Sequence, residues 1–220
     1  MTAWEFQTIV ERVRERLERP LPGLDAQRLM APQPRTGWQP AQIPSDARPA
    51  AALVLLYPTQ GLAHLALTLR SSHLPHHGGQ VSLPGGAVEP DETIEATALR
   101  EADEEIGVAR RHVTPMGRLT PLHIPVSGFV LHPVVAVTLD RPSFVPSAAE
   151  VARVLDVPLA HLCAPHAVRL RRRIHEGRAY EVPYFLLDNE VVWGATAMVL
   201  AEFLAVLGCT PFRPTEVIDE

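Results

Sequence analysis

Apolar positions recur near a helical period over residues 3–18, at Phe6, Ile9, Val10, Val13 and Leu17, which predicts an amphipathic helix. Glu11, Arg12, Glu15, Arg16, Glu18 and Arg19 form its solvated charged face. Thr2 is the expected N-cap and Pro20 the stop. From Pro20 to Pro49 no period survives and prolines recur, so an extended loop is expected. Two compact apolar runs follow, at 50–57 and 63–69, and Pro58 to Gly61 supplies the turn of a β-hairpin. Residues 71–86 carry three histidines and four glycines and read as a loop. Residues 92–106 read as a helix, acidic on one side and apolar at Ala98, Leu99, Ala102 and Ile106. Thr93 suits its N-cap and Gly107 the C′ position.

Further strands are predicted at 129–139, 150–157, 168–174, 179–187 and 191–193. Pro133 inside the first of these implies an edge or a bulge. Residues 195–207 are apolar on most sides and read as a buried helix ending at Gly208, and the tail beyond is expected to be loose. Many strands with two core helices and one at the start predict an α/β protein, a mixed sheet between helices.

Composition narrows the class. The 220 residues suit one domain with extensions, and 46% hydrophobic residues suffice for a full core. A formal charge of −5 argues against a general nucleic-acid binder. No apolar run reaches membrane-spanning length and no secretory pattern opens the sequence, so a cytoplasmic protein is expected. Cys163 and Cys209 are few and far apart, and are expected to be two reduced thiols. The 22 prolines, roughly twice average usage, alternate with glycines between apolar runs and so shape loops and edges.

The acidic helix carries the chemistry. Glu101, Glu104 and Glu105 stand at i, i+3 and i+4 and share one face. Their mutual repulsion becomes coordination if a hard divalent cation is bound, because such ions take oxygen ligands. Gly85 and Gly86, upstream, allow the backbone to approach a phosphate and to adopt conformations closed to other residues. Arg100 is placed to grip a carboxylate with two parallel hydrogen bonds.

Residues 86–108 resemble the Nudix box, G-x5-E-x7-R-E-U-x-E-E-x-G-U. Gly86, Glu92, Arg100, Glu101, Glu104, Glu105 and Gly107 fill the fixed positions in register, Val108 closes the pattern, and only Ala102 is undersized. The resemblance implies an α/β/α sandwich and hydrolysis of a nucleoside diphosphate linked to another moiety, with Mg2+ or Mn2+. It implies metal ligation by Glu101 and Glu105, with Glu104 close behind, and bracing of the loop on the helix by Arg100 and Glu92. The general base is Glu104, acting on the attacking water, or an acid outside the box, for which Glu150 is the candidate. Domain limits follow: 1–49 as helix and Pro-rich extension, 50–208 as the Nudix domain, 209–220 as tail.

Residues 67–86 are similar to the signature of the coenzyme A pyrophosphatase branch, L-L-T-x-R-[SA]-x3-R-x3-G-x3-F-P-G-G. Leu67, Thr68, Arg70, Ser71, Gly79, Pro84, Gly85 and Gly86 agree; Ala66, Pro75 and Leu83 depart, and Pro75 removes a cation. Segments 180–185 and 193–200 also resemble this branch. The implied reaction cleaves coenzyme A to 3′,5′-ADP and 4′-phosphopantetheine, with Arg70, Ser71, Gly85 and Gly86 at the substrate and Arg70 on a phosphate. The basic run Arg169, Arg171, Arg172 and Arg173 is a candidate for the 3′-phosphate, though alternate members of a strand face opposite sides. His73, His76 and His77 are candidate transition-metal ligands, but beside an oxygen-rich site a hard cation fits better. The competing readings are a Nudix hydrolase of another nucleoside diphosphate derivative such as ADP-ribose, and a non-catalytic nucleotide sensor. The expected partner is a small molecule, with no nucleic acid or membrane; the oligomeric state stays open.

Overall fold

The computed structural model describes residues 3–34, 43–164, 166–175, 177–209 and 217–219. The chain runs through α1 (Phe6–Leu17), α2 (Gly23–Gln27), β1 (Arg48–Thr59), β2 (Leu62–Arg70), β3 (Val81–Ser82), β4 (Gly85–Ala87) and α3 (Ile94–Ile106). It continues through β5 (Thr114–Arg118), β6 (Leu122–Ile124), β7 (Phe129–Val137), β8 (Val151–Pro158), α4 (Leu159–Leu162), β9 (Val168–His175) and β10 (Arg178–Leu187). The last elements are β11 (Glu190–Trp193), α5 (Gly194–Val206) and β12 (Val217–Asp219).

Strand β1 is the axis of an eight-stranded mixed sheet ordered β3-β2-β1-β7-β5, with β4 on β1, β6 on β7 and β8 on β2. It pairs parallel with β7 and antiparallel with β2 and β4. Residues 50–57 of β1 are buried throughout because alternate side chains feed two cores. Leu53, Leu55 and Tyr57 pack with Ala98, Ala102 and Ile106 of α3. Val54 and Leu56 pack on the other side with α1 and the apolar helix α5. The mixed α/β sandwich expected from the sequence is therefore present. Strands β9–β12, however, form a second sheet of order β11-β10-β9-β12.

Several local expectations change. The hairpin turn is narrower than Pro58 to Gly61: Gln60 (φ 51°) and Gly61 (φ 80°) make it, and Pro58 pairs with Ala63 inside the strands. Pro133 lies neither on an edge nor in a bulge. It pairs with Ala52 of β1, and its carbonyl accepts from Leu119 in the gap between β5 and β6, so its missing N–H costs no ladder bond. The Pro-rich stretch holds α2 and a 3-10 turn at Arg28–Met30, and the tail is not loose throughout, since β12 pairs parallel with β9. Thr2, the expected cap of the first helix, lies outside the described residues. Cys163 and Cys209 are not separate thiols; they form a disulfide with Cα atoms 5.9 Å apart, because α4 and the end of α5 meet in space. No helix among the described residues is long and apolar enough to cross a membrane.

A buried polar link fastens α2 to α5. The Gln27 amide donates to Glu202 Oε2 at 2.8 Å and to the Thr120 carbonyl at 2.9 Å, and both side chains are fully buried. Gln27→Leu leaves that carboxylate short of a donor and is expected to cost about 1–3 kcal/mol in chemical denaturation. The double change with Glu202→Leu should cost less than the sum of the singles, as for a pair removed together.

Candidate active site

Helix α3 is fixed at both ends. The Thr93 hydroxyl accepts from the Ala96 amide at 3.2 Å, and Gly107 closes the helix with φ 70°. The segment before β8 then returns to cap it, with the Val145 and Ser147 amides donating to the Ile106 and Glu105 carbonyls at 2.9 Å each. That segment is anchored at its other end by Arg141, which donates to Asp156 at 2.8 Å, and Asp156 also accepts from Tyr57. Glu150 is thereby set beside the acidic helix.

The two glycines act by closeness rather than by unusual dihedrals. Neither has a positive φ, contrary to the conformational role expected for them. A Cβ on Gly85 would stand 2.7 Å from Ala52 Cα and nearer still to the Ala51 carbonyl oxygen. A Cβ on Gly86 would stand 2.8 Å from Glu101 Oε2 and nearer to Oε1. Only glycine at 85 lets β4 lie on the β1 backbone, while a side chain at 86 would displace the Glu101 carboxylate from its place above the strand.

Arg100 is the hub. Its Nε and Nη2 grip the two oxygens of Glu92 at 2.9 and 3.1 Å, the bidentate pair expected. Its Nη1 reaches Glu101 at 2.8 Å and Glu104 at 2.9 Å, and Nη2 reaches the Ala87 carbonyl at 3.3 Å. The Thr97 hydroxyl adds a bond to Glu92 at 2.7 Å. Arg100, then Thr97, hold the Glu92 carboxyl down to about 2. Thr97 escaped sequence reasoning; its signal is a hydroxyl on the inner face of an otherwise apolar flank.

Burial sets the other carboxylates apart. Glu105 is buried, and among the described residues its oxygens meet the Gly85 amide at 3.3 Å and Arg70 Nη1 at 3.7 Å. Desolvation pushes its carboxyl up to about 7; Arg70 opposes this, and the charges of Glu101 and Glu150 add to it. Glu101 is raised by burial too, against the pull of Arg100 and with the charges of Glu104 and Glu150 adding. Glu104 is largely exposed, as is Glu150. Ser71 is buried, and its amide donates to the Glu150 carbonyl at 2.8 Å. Arg70, Ser71, Gly85, Gly86, Glu101, Glu105 and Glu150 thus converge. His73, His76 and His77 stay apart on an exposed loop, where His77 meets Gln80.

The donor set suits a hard divalent cation. It consists of carboxylate oxygens, and among the described residues the buried Glu105 has only long contacts to offset its charge. Among the described residues no three such side chains already converge on one point. Arg100 bonds one oxygen each of Glu101 and Glu104, Oε1 and Oε2 respectively, so each carboxylate keeps a second oxygen that these bonds do not use.

A glutamate-rich helix capped against a mixed sheet thus sets oxygen ligands for a hard cation above a Gly-Gly strand that leaves room for an anionic substrate, and the family match makes this a hydrolase. The chain belongs to the Nudix family, whose NUDIX domain model matches residues 47–176. It is 38% identical over 175 residues to the human mitochondrial coenzyme A diphosphatase NUDT8, covering 76% of this chain and 74% of that protein. It is 35% identical over 160 residues to the uncharacterised Nudix hydrolase NudL of Photorhabdus laumondii, covering 71% and 83%. A NUDIX hydrolase crystal structure from Nitrosomonas europaea shares the fold at TM-score 0.51 and 17% identity, covering 80% of this chain and 81% of that one.

Proposed function

We propose that the protein hydrolyses the diphosphate bond of coenzyme A, or of a derivative, with Mg2+ or Mn2+, giving 3′,5′-ADP and 4′-phosphopantetheine. What carries this reading is the meeting of two segments at Glu105. Arg70, from the stretch that resembles the coenzyme A branch, approaches one carboxylate oxygen, and the Gly85 amide approaches the other. The name of the human relative points the same way.

Glu101, Glu105 and Glu104 would hold the cation, which when bound supplies neutralisation of the diphosphate charge and Lewis-acid activation. Arg70, a partly exposed guanidinium whose Nη1 lies 3.7 Å from Glu105, would bind the diphosphate. Ser71 fixes the Glu150 backbone, and Gly85 and Gly86 keep the floor of the site free of side chains. Glu150 or Glu104 takes the proton from the attacking water. Arg100 orients Glu101 and Glu104 from behind.

Incubation of the protein with coenzyme A and either metal in ¹⁸O-labelled water is expected to yield 3′,5′-ADP and 4′-phosphopantetheine, with the label in one product. Absence of both products across metals and pH would sink the assignment. Pro75, where the branch pattern has arginine, favours a second reading, hydrolysis of another nucleoside diphosphate derivative such as ADP-ribose. A higher kcat/KM for ADP-ribose than for coenzyme A selects it.

A further inference from the structure

The basic run on β9 divides between two surfaces. Across the register Arg169 faces Tyr184, Arg171 faces Val182 and Arg173 faces Tyr180, while Trp193 on β11 faces Tyr184. Directly opposed residues share a face, so these arginines and aromatic rings lie on one side of the second sheet. Val168, Phe185, Leu187 and Val192 cover the core on the other. Arg172 is out of phase with the three.

The shared face is ordered by guanidinium–ring contacts. The Arg171 guanidinium carbon lies 5.3 Å from the centre of the Tyr184 ring, and that of Arg173 lies 5.5 Å from the centre of the Trp193 ring. Arg171 and Tyr184 are buried, whereas Arg173 is exposed, and a guanidinium held in this way against a ring presents its N–H edge to an anion. Arg169 and Arg173 are exposed, and among the described residues neither forms an ion pair, whereas Arg118, Arg141 and Arg153 do. Solvated strand arginines are the ordinary alternative; they do not require successive same-face members to stack on rings.

The edge strand of this sheet, β11, meets the strands that carry the diphosphate site. Strand β11 packs beside β3, which leads into Gly85. Glu190 of β11 accepts from Arg153 at 2.9 Å, and Arg153 pairs with Leu69, the neighbour of Arg70. The Thr196 hydroxyl, three residues after Trp193, donates to the Val81 carbonyl at 3.3 Å.

We propose that the Arg169, Arg173 and Trp193 face binds the phosphorylated nucleoside end of the substrate, with the guanidinium edges on the ribose 3′-phosphate and the purine on the arginine–aromatic layer. The inference rests on the coenzyme A reading and supplies its specificity: a ligand lacking the 3′-phosphate loses these contacts.

The test titrates the intact protein with adenosine 3′,5′-bisphosphate and with adenosine 5′-monophosphate, and compares kcat/KM for coenzyme A and dephospho-coenzyme A. The wild type is expected to favour the 3′-phosphorylated member of each pair by about tenfold or more, as for a charge-assisted hydrogen bond. Arg173→Gln and Arg169→Gln should each reduce that preference, while Arg111→Gln, an exposed change on another turn, should keep it. A wild type with no preference, or a preference untouched by both β9 variants, overturns the proposal. Coenzyme A hydrolysis without any preference sinks this subsite alone. A bisphosphate preference without coenzyme A hydrolysis upholds the subsite and sinks the substrate reading.

Discussion

Glu101→Gln is expected to lower kcat by roughly a thousandfold while leaving the protein folded. Glutamine keeps the shape and still accepts from Arg100 Nη1, so the bond at 2.8 Å persists in kind. What disappears is the negative charge of the carboxylate proposed to hold the cation. The charge stabilisation that a cation provides is worth several kcal/mol, and each 1.36 kcal/mol is about tenfold in rate. Because burial raises the Glu101 carboxyl above its usual range, the fold carries this charge at a cost. The thermal midpoint near neutral pH should therefore hold or rise as activity falls. Turnover above a tenth of the wild-type value would remove Glu101 from the metal site. A nucleotide sensor would show little difference between the two proteins.

Arg100→Ala should have the next largest effect, because one side chain serves three carboxylates. Without it Glu101 and Glu104 lose their shared donor and Glu92 loses both its grips. Groups that orient ligands cost about 10–100-fold when removed, and a fall of that size in kcat is expected. A second readout is acid stability. Arg100 and Thr97 hold Glu92 at about 2, below its ordinary 4.5. A carboxyl depressed on folding adds stability that is complete above about pH 4.5 and is lost as pH falls toward 2. In Arg100→Ala that loss should shrink, as read from denaturation midpoints across the interval. An unchanged acid slope would mean that Arg100 does not set the Glu92 charge.

Much of this site is legible along one helix. Spacing alone puts Glu101, Glu104 and Glu105 on one face and Arg100 beside them, since a helix converts sequence distance into direction. The hairpin of β1 and β2 and the buried run 50–57 are equally legible from their apolar patterns. Strands β3 and β4 are not, because two or three residues carry no period. Gly85 and Gly86 were expected at the site for partly the wrong reason: their neighbours, Ala51, Ala52 and Glu101, lie far off in sequence. Cys163 and Cys209 pair across 46 residues for the same cause.

Sequence order alone therefore specified the acidic helix, its caps, the main strands and the kind of chemistry, all of which depend on residues a few positions apart. Tertiary packing decided how the charges differ. Glu92 and Glu105 are both carboxylates near an arginine, yet one is held near 2 and the other raised to about 7. The difference lies in burial under β1 and β4 and in which guanidinium is within reach. It was also the second sheet, not the basic run itself, that sorted Arg169, Arg171 and Arg173 onto one aromatic face. Desolvation and cross-strand register arise only when distant segments meet, so no local pattern encodes them.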